Sequence, residues 1–273
     1  APVAGNAEEN VVKNVLVTGG TGALGSELVP LLVAAGLDVR VLSRRSAPTM
    51  PAGARAVRGD LTTGDGLDAA ITAINVIAHL ASGTRGAPSY ANAKRTDVQG
   101  TERLLDAARR AGVEPHVVYI SIVGIDKIPF GYYRGKLATE QVIERSGLPY
   151  TILRTTQWHT LAVKFCQLLG SLPLVAVPKR VRMQLLDAGE VAQRMAGLVQ
   201  GPPSQHVPEM GGPEALSFAE IARKYYKAVG KRRVVIELPL PGKSARAFAA
   251  GYNLAPEHRD GRITWDEYLA RTT

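Results

Sequence analysis

Residues 17–25 read VTGGTGALG, and this stretch decides the fold. It ends an apolar run over residues 11–18 that is typical of a buried β-strand, and it leads into residues 23–35, whose leucines share one helical face. Glycines at 19, 22 and 25 suit a tight turn, close approach of the backbone to a pyrophosphate, and close helix packing. A strand, a glycine loop and a helix in this order predict a dinucleotide site. The residues expected to hold the cofactor here are Gly19, Thr21, Gly22, Ala23, Leu24 and Gly25.

Short β-rich runs alternate with helical patterns from this loop to about residue 155. The further predicted strands are residues 39–42, 54–58, 76–80, 116–121 and 150–154, and the further predicted helices are residues 67–73, 93–111 and 136–145. Repeated units of this size predict a doubly wound parallel sheet with helices on both faces, which is a Rossmann-type α/β fold.

The pattern changes after Arg154, where prolines and glycines cluster at 170–173, 201–203 and 211–213. Asp187 and Ser217, each followed three residues later by a glutamate, indicate capped helix starts. We therefore expect a small C-terminal α/β lobe over the carboxyl edge of the sheet. The predicted division is a flexible lead-in (1–10), a dinucleotide-binding domain (11–157) and a mainly substrate-binding lobe (158–273) that is partly interleaved with that domain.

The composition narrows the class of protein. The chain has 273 residues, 45% hydrophobic and 21% charged, with a formal charge of +9, but its basic residues are scattered and not interleaved with aromatics, so nucleic-acid binding is not expected. No apolar run approaches the roughly 20 residues that span a bilayer, so no membrane partner is expected either. The opening APVAGNAEEN lacks the pattern of a signal peptide.

The cysteine and histidine content points to a reducing compartment without a metal. A single cysteine, Cys166, excludes an internal disulfide framework, suits the cytoplasm and is expected to pack as a small buried hydrophobe. The five histidines are dispersed along the chain, so no metal site is predicted.

The end of the second strand indicates which dinucleotide is bound. In NAD-binding folds a carboxylate at this position accepts a hydrogen bond from the free ribose 2′-hydroxyl, but this chain has Ser43, Arg44 and Arg45. Arginine forks match a 2′-phosphate, so NADP(H) is favoured over NAD. After the third strand, Asp60 with Leu61 lies beside the adenine amino group or forms an ordinary turn.

The fourth strand closes with His79, Leu80, Ala81 and Ser82. Backbone at such a strand end commonly covers the cofactor, so Leu80, Ala81 and Ser82 join the predicted cofactor site. For His79 itself, a buried and hydrogen-bonded structural role is favoured over chemistry.

Several motifs together resemble the short-chain dehydrogenase/reductase superfamily in its atypical NmrA-like branch. They are VTGGTGALG (17–25), RGDL (58–61), DVQGTERLLDAARRAGV (97–113), YISIVGID (119–126) and YYRGKLATEQVIERSGLPYTILRTTQ (132–157). The resemblance covers nearly the first 160 residues. It implies a hydride-transfer fold with a serine on the fifth strand and a Tyr-x-x-x-Lys pair, which here are Ser121, Tyr132 and Lys136.

The roles that follow from this resemblance are those of a proton-transfer site. Lys136 would lower the pKa of the Tyr132 phenol from its usual value of about 10 and would also hold the nicotinamide ribose. Ser121 would hydrogen-bond the substrate carbonyl. Tyr133 lies three residues before Lys136, shares much of the same helix face and competes with Tyr132 for the role.

The residues after the sixth strand are predicted to face the substrate. Gln157, Trp158 and His159 join Tyr133 in that group, since ligands sit beyond the carboxyl ends of parallel strands. His159 serves there as an acid, base or hydrogen-bond donor, or it is a polar residue satisfied at a helix start. Trp265 and Tyr268 are expected to pack the lobe.

The function predicted from these features is an NADPH-dependent reductase that transfers hydride to a carbonyl or other unsaturated small molecule, with Tyr132 as proton donor. The alternatives are a non-enzymatic NADP(H) redox sensor, and an isomerase-like or structural protein that keeps the dinucleotide bound. The long helix after residue 93 offers a surface for a homodimer.

Overall fold

The computed structural model describes residues 13–45, 48–83, 89–171 and 173–273. The predicted lead-in over residues 1–10 and the first two residues of the predicted first strand lie outside this part of the chain.

Eleven strands and ten α-helices are present in the described residues. The strands are β1 (Asn14–Thr18), β2 (Asp38–Ser43), β3 (Ala54–Arg58), β4 (Val76–His79), β5 (His116–Ile122), β6 (Tyr150–Thr155), β7 (Leu174–Pro178), β8 (Arg182–Gln184), β9 (Gln205–His206), β10 (Ala215–Ser217) and β11 (Val234–Leu238). The helices are α1 (Ala23–Ala34), α2 (Leu67–Ile71), α3 (Tyr90–Ala93), α4 (Gln99–Ala111), α5 (Gly131–Glu144), α6 (His159–Leu169), α7 (Ala188–Gln200), α8 (Phe218–Ala228), α9 (Lys243–Ala249) and α10 (Trp265–Thr272).

Seven strands form one parallel sheet in the order β3-β2-β1-β4-β5-β6-β9. Val15 on β1 pairs with Val39 on β2 and with Val76 on β4, so the chain order reverses at β1. A reversal of this kind opens a crevice at the carboxyl ends of the two strands on either side of it. The doubly wound fold predicted from the sequence is confirmed.

The two faces of this sheet are covered by different helices. On one face, Leu24, Leu28 and Leu32 of α1 pack with apolar residues of α7 against β1, β2 and β5. On the other face, α2, α4 and α5 cover alternate residues of the same strands, such as Leu16 and Tyr119. The alternation follows from the two-residue period of strand side chains.

Two helices near the candidate site begin earlier than the sequence indicated. α5 starts at Gly131 instead of Lys136, since Phe130 is the last residue with extended backbone before it. Within its first turns, Gly135 packs directly on Ala93, with no side chain between the two backbones. The helix predicted from residue 93 starts at Tyr90 and widens into a π-helical turn at Lys94–Val98 before α4. Such turns are rare and often mark functional sites.

The C-terminal residues build a second core beside the sheet. β7 and β11 form a parallel pair, β8 and β10 an antiparallel pair, and α6, α8 and α10 pack with them. Cys166 and Trp265 are fully buried there, which confirms the packing roles expected for them. β9 joins the main sheet and α7 packs against α1, so this half of the chain is interleaved with the first.

None of the helices in the described ranges combines the length and the apolar character needed to cross a membrane.

Candidate active site

The loop between β1 and α1 has room only for glycine at two of the three predicted positions. Gly19 has φ 72°, and a Cβ there would lie 2.8 Å from the backbone nitrogen of Ala81. A Cβ on Gly25 would lie 2.4 Å from the carbonyl oxygen of Gly19. Real Cβ atoms do not approach backbone this closely, so a side chain at either position would push the loop apart.

The start of α1 presents unpaired backbone donors to this loop. Gly22 precedes the first helical residue and provides no side-chain cap, so the first-turn N–H groups are left for a ligand. Thr21, Gly22 and Ala23 are exposed, while the Leu24 side chain is buried and anchors the helix. These features fit the phosphates of a dinucleotide, which would add anionic oxygens at the positive end of the helix dipole.

Gly20 belongs to the same loop, although it was not among the predicted cofactor residues. A Cβ on Gly20 would lie 2.6 Å from Cγ1 of Val41 on β2. Its position inside a glycine-rich turn was the feature that could have indicated its role, but the prediction rested on the spacing of Gly19, Gly22 and Gly25.

The segment after β4 is fixed against this loop by Thr18. The Leu80 N–H donates to the Thr18 carbonyl at 3.1 Å, and the Ala81 N–H donates to the Thr18 hydroxyl at 3.2 Å. Leu80 and Ala81 therefore lie next to Gly19, and Ser82 follows them along the chain.

His79 is a buried structural residue, as expected. Its ring nitrogens lie 2.7 Å from the Thr18 hydroxyl and 2.8 Å from the Thr101 hydroxyl. Burial, with the nearby positive charge of Lys136, lowers the pKa of His79 to about 3. A neutral imidazole between two hydroxyls fixes the end of β4.

Tyr132 does not stand alone, because a serine and a carboxylate are linked to it. The Tyr132 and Ser82 hydroxyl oxygens are 2.7 Å apart, and the Ser82 hydroxyl donates to Asp97 at 2.9 Å. Asp97 also accepts from the Gly83 N–H at 2.6 Å and from the Thr96 hydroxyl at 2.7 Å. Asp97 lies in the π-helical turn, which sequence reasoning missed because helical periodicity carries no signal for a widened turn.

The expectation that the Tyr132 pKa is lowered is wrong for this structure. Burial raises the pKa of Tyr132 well above its ordinary value; the hydrogen bond with Ser82 opposes that shift, and the negative charge of Asp97 adds to it. Desolvation of a phenolate outweighs the nearby hydroxyl.

Lys136 is buried one helical turn after Tyr132, and its bond partner is backbone. Its ammonium donates to the Ile120 carbonyl at 2.8 Å and lies 4.1 Å from the centre of the Tyr119 ring. Burial lowers the pKa of Lys136 to about 8, although Asp97 and Glu140 oppose that shift. The lysine is thereby held rigidly at the carboxyl end of β5.

The Ser121 hydroxyl is buried at the carboxyl end of β5. The residue is 1% exposed, and its hydroxyl has no hydrogen-bond partner among the described residues. The next residue along the strand, Ile122, packs against the cluster that contains Tyr133. The expected contact of Ser121 with a substrate carbonyl stays a prediction.

Tyr133 points into an aromatic cluster. Its ring lies 5.7 Å from Phe130 and 5.8 Å from Phe248 of α9, both edge-on. Burial raises the pKa of Tyr133 to about 12, opposed by a hydrogen bond with Gln157. Gln157 in turn donates to the Asn253 carbonyl at 3.2 Å, so the structure brings two of the predicted substrate residues together.

The other two predicted substrate residues have contacts of a different kind. Trp158 packs against the core over α7 and donates to the Thr155 hydroxyl at 3.1 Å. His159 is 1% exposed and stacks on Tyr268 at 4.6 Å and on Trp265 at 5.7 Å. Its ring nitrogens have no hydrogen-bond partner among the described residues, and the nearest carboxylate, Asp187, is 3.9 Å away. His159 is the first residue of α6, and the two roles expected for it stay predictions.

The residues predicted to read the adenosine half lie at the other edge of the crevice. Arg44 and Arg45 are exposed just after β2, and the Ser43 hydroxyl accepts from the Arg45 N–H at 3.1 Å. The Asp60 carboxylate accepts a hydrogen bond from the Thr62 N–H at 2.7 Å, which is the ordinary turn that was one of its two predicted roles. Leu61 packs against α4 at Gly100.

One group of potential metal ligands arises that the sequence spacing did not indicate. Glu140, Glu144 and His206 bring ligand atoms within 4.8 Å of one another. Arg154 donates to both oxygens of Glu140, and His206 pairs with Glu144 at 2.7 Å, so these groups already satisfy one another.

The family model that matches this chain is described as NAD(P)H-binding and covers residues 19–160, slightly more than half of the 273 residues. Among curated proteins, the photosystem II assembly factor Ycf39 of Cyanophora paradoxa is 26% identical over 95% of this chain and 82% of its own length. The NAD(P)H azoreductase of Xenophilus azovorans is 28% identical over 89% of this chain and 87% of its own.

Solved structures share the fold. The NADPH-dependent quinone oxidoreductase QOR2 of Escherichia coli, complexed with NADPH, matches 94% of this chain and 99% of its own with a TM-score of 0.74 at 18% identity. The UDP-glucose 4-epimerase of Thermus thermophilus in complex with NAD matches 94% of this chain and 96% of its own with a TM-score of 0.71 at 21% identity. The glycine loop, the sheet order and these matches agree, and the chain belongs to the NAD(P)H-binding family within the NmrA-like, atypical short-chain dehydrogenase/reductase superfamily.

Proposed function

We propose that this chain is an NADPH-dependent reductase that transfers hydride to a carbonyl or other unsaturated small molecule, with Tyr132 as the proton donor. When bound, the dinucleotide supplies the hydride. The chain's own residues would hold the pyrophosphate at the start of α1, cover the nicotinamide with residues 80–82, and deliver a proton from Tyr132.

The observation that carries this proposal is the position of the Tyr132 hydroxyl. It is hydrogen-bonded to Ser82, which follows the strand end that lies against the glycine loop. A proton donor at this place adjoins the crevice in which doubly wound folds bind ligands. The azoreductase and quinone oxidoreductase relatives support a reduction, and we extend that reaction class to this chain.

The same reasoning favours NADP over NAD. Arg44 and Arg45 are exposed after β2 and form no ion pair within the described ranges, so both are available for a 2′-phosphate. A guanidinium binds phosphate through two parallel hydrogen bonds, which a ribose hydroxyl cannot match.

A second candidate function is a redox sensor that binds NADP(H) without turnover. Two features favour this function. The Ser121 hydroxyl is buried, whereas a proton-transfer site would expose it to the substrate, and burial raises the pKa of Tyr132, whereas such a site would lower it. A sensor would use the glycine loop and the arginines in the same way.

Turnover separates the two functions. NADPH oxidation is measured by its near-ultraviolet absorbance against quinones, azo compounds, aldehydes and ketones, with Tyr132→Phe as the matched variant. A reductase is expected to turn over at least one class and to lose about 100-fold in kcat in the variant. Tight NADPH binding with no turnover on any class assigns the sensor function. Full activity of the variant removes Tyr132 as proton donor.

A further inference from the structure

The two-stranded sheet of β7 and β11 has an outer face made only of apolar side chains. Val175 and Val177 point inward and are buried against α8, so by alternation Leu174, Ala176 and Pro178 point outward. The parallel register places Val234, Ile236 and Leu238 directly beside these three. We call these six residues the outer apolar face.

This face is open to solvent to an unusual degree. Leu174 is 52% exposed, Val234 is 62% exposed and Leu238 is 46% exposed. Leu240, just after β11, is 53% exposed and extends the face at its carboxyl end. At its other end Leu168 is 73% exposed, and Gly170 accepts a hydrogen bond from Arg233 beside Val234, which places the end of α6 against the start of β11. Contiguous exposed apolar surface of this kind marks an interaction site.

Cations lie at both ends of the outer apolar face. Lys231, Arg232 and Arg233 precede β11, while Lys179 and Arg180 follow β7; because the strands are parallel, these two groups lie at opposite ends. Residues 174–180 and 231–246 together contain seven lysines and arginines and a single acid, Glu237.

The cations at the carboxyl end converge on a cavity. A depression of about 360 Å³ there is lined by Lys179, Arg180 and Arg246, with Pro239 and Leu240 supplying an apolar wall. None of these three cations has an ion-pair partner in the part of the chain that the structure describes. Cationic groups beside an apolar wall are suited to a phosphate that is attached to an acyl chain.

We propose that the outer apolar face is a docking surface for an anionic lipid bilayer. The apolar residues would lie at the headgroup boundary and the flanking cations would contact lipid phosphates, as in surface-bound proteins that do not span the membrane. A second copy of this chain is disfavoured as the occupant because it would oppose seven cations with seven more. A single-stranded nucleic acid is disfavoured because the face offers no aromatic ring for stacking.

The test is flotation of the purified chain with vesicles of phosphatidylcholine alone and of phosphatidylcholine mixed equally with phosphatidylglycerol. Three double variants each lower the net charge by two: Leu174→Glu with Val234→Glu, Lys231→Gln with Arg232→Gln, and Arg109→Gln with Arg110→Gln. The last pair lies at the end of α4, away from the face, and controls for net charge.

Wild type is expected to float with the anionic vesicles at low salt and to be released as salt rises. The Leu174/Val234 variant is expected to lose about tenfold or more in partition coefficient, the Lys231/Arg232 variant several-fold, and the Arg109/Arg110 variant less than about twofold. Because all substituted side chains are exposed, circular dichroism should show unchanged folding in each variant.

Three results would overturn the proposal. The first is that wild type does not float with anionic vesicles. The second is that the Arg109/Arg110 variant loses as much binding as the other two variants, which would assign the attraction to net charge alone. The third is that sedimentation shows a wild-type dimer that the Leu174/Val234 substitutions dissociate, which would assign the face to a second copy. None of these results depends on catalysis, so the proposed reductase activity is tested separately.

Discussion

Tyr132 donates its hydroxyl proton to Ser82. The two oxygens are 2.7 Å apart, and the one proton of the Ser82 hydroxyl is already given to Asp97. A serine hydroxyl has one proton to donate and two lone pairs to accept, so the remaining bond runs from the phenol to the serine. The orientation of the proposed proton donor is thereby set by a carboxylate that does not touch it.

The first prediction separates the two neighbouring tyrosines. Tyr132→Phe is expected to reduce kcat by about 100-fold, the usual scale of a lost general acid. Tyr133→Phe, the matched control, keeps its ring between Phe130 and Phe248 and is expected to stay within about threefold of wild type, since it loses only the bond to Gln157. Steady-state kinetics with NADPH and the best substrate measure both. The reverse pattern would assign proton donation to Tyr133.

The second prediction concerns the buried hydroxyl of Ser121. Ser121→Ala removes a hydroxyl that makes no hydrogen bond to any residue the structure describes, so the free energy of unfolding should change by less than about 1 kcal/mol. The control, Thr101→Val, removes a buried hydroxyl that is bonded to His79 and should cost about 1–3 kcal/mol. Urea titration measures both. A large fall in kcat for Ser121→Ala, with NADPH binding intact, would restore its expected catalytic role.

The third prediction follows from the lowered pKa of Lys136. Between about pH 8 and the ordinary lysine value, the folded state binds fewer protons at this site than the unfolded state does. The penalty for burying the ammonium is therefore present below about pH 8 and is relieved as pH rises. Wild type should gain up to about 3 kcal/mol relative to Lys136→Met as pH rises from about 7 to about 10.5.

Urea unfolding of both proteins across this range measures the difference. Lys127→Met, at an exposed lysine close in sequence, serves as the matched variant. A stability difference between wild type and Lys136→Met that stays constant with pH would contradict the lowered pKa.

The fourth prediction distinguishes collision from backbone strain in the glycine loop. Gly36 has φ 78°, and a Cβ there would meet no atom within 4 Å, so Gly36→Ala should cost about 1–2 kcal/mol and leave NADPH binding unchanged. Gly19→Ala adds a collision with Ala81 to the same strain and should weaken NADPH binding by at least about tenfold. Fluorescence titration with NADPH provides the measurement; equal affinities in the two variants would count against a ligand at this loop.

The fifth prediction tests the choice of dinucleotide. Replacing Arg44 and Arg45 together by alanine should reduce the preference for NADPH over NADH by about tenfold or more, because each guanidinium–phosphate bond is charge-assisted. The same double substitution at Arg109 and Arg110 should leave the preference unchanged. The ratio of kcat/KM for the two dinucleotides is the readout, and an unaltered ratio at Arg44 and Arg45 would refute their assignment.

The parts of the fold that were predictable from sequence rest on local rules. The glycine loop depends on short-range sterics at Gly19 and Gly25, and the doubly wound parallel sheet follows from repeated strand–helix units. The buried roles of His79 and Cys166 also followed, since polarity and size limit what such residues do inside a core.

What the sequence did not reveal depends on side-chain direction and on tertiary contacts. Ser121 lies near the end of β5 as predicted, but its burial at 1% exposure depends on tertiary packing that the sequence does not show. Asp97 meets Ser82 only because the helix widens at Lys94–Val98. His159 stacks on Trp265 and Tyr268, which lie more than a hundred residues away in the chain. The homodimer and the cytoplasmic location stay predictions.

If Tyr132 is the proton donor proposed above, the link from Asp97 through Ser82 to Tyr132 would also determine which substrates can compete for the proton. A substrate oxygen must accept the phenolic proton better than Ser82 does, and Ser82 is a good acceptor because its own proton is drawn toward a carboxylate. In the proposed reduction, the site would therefore select by the basicity that the substrate oxygen acquires as hydride arrives, and shape alone would not be enough to trigger protonation.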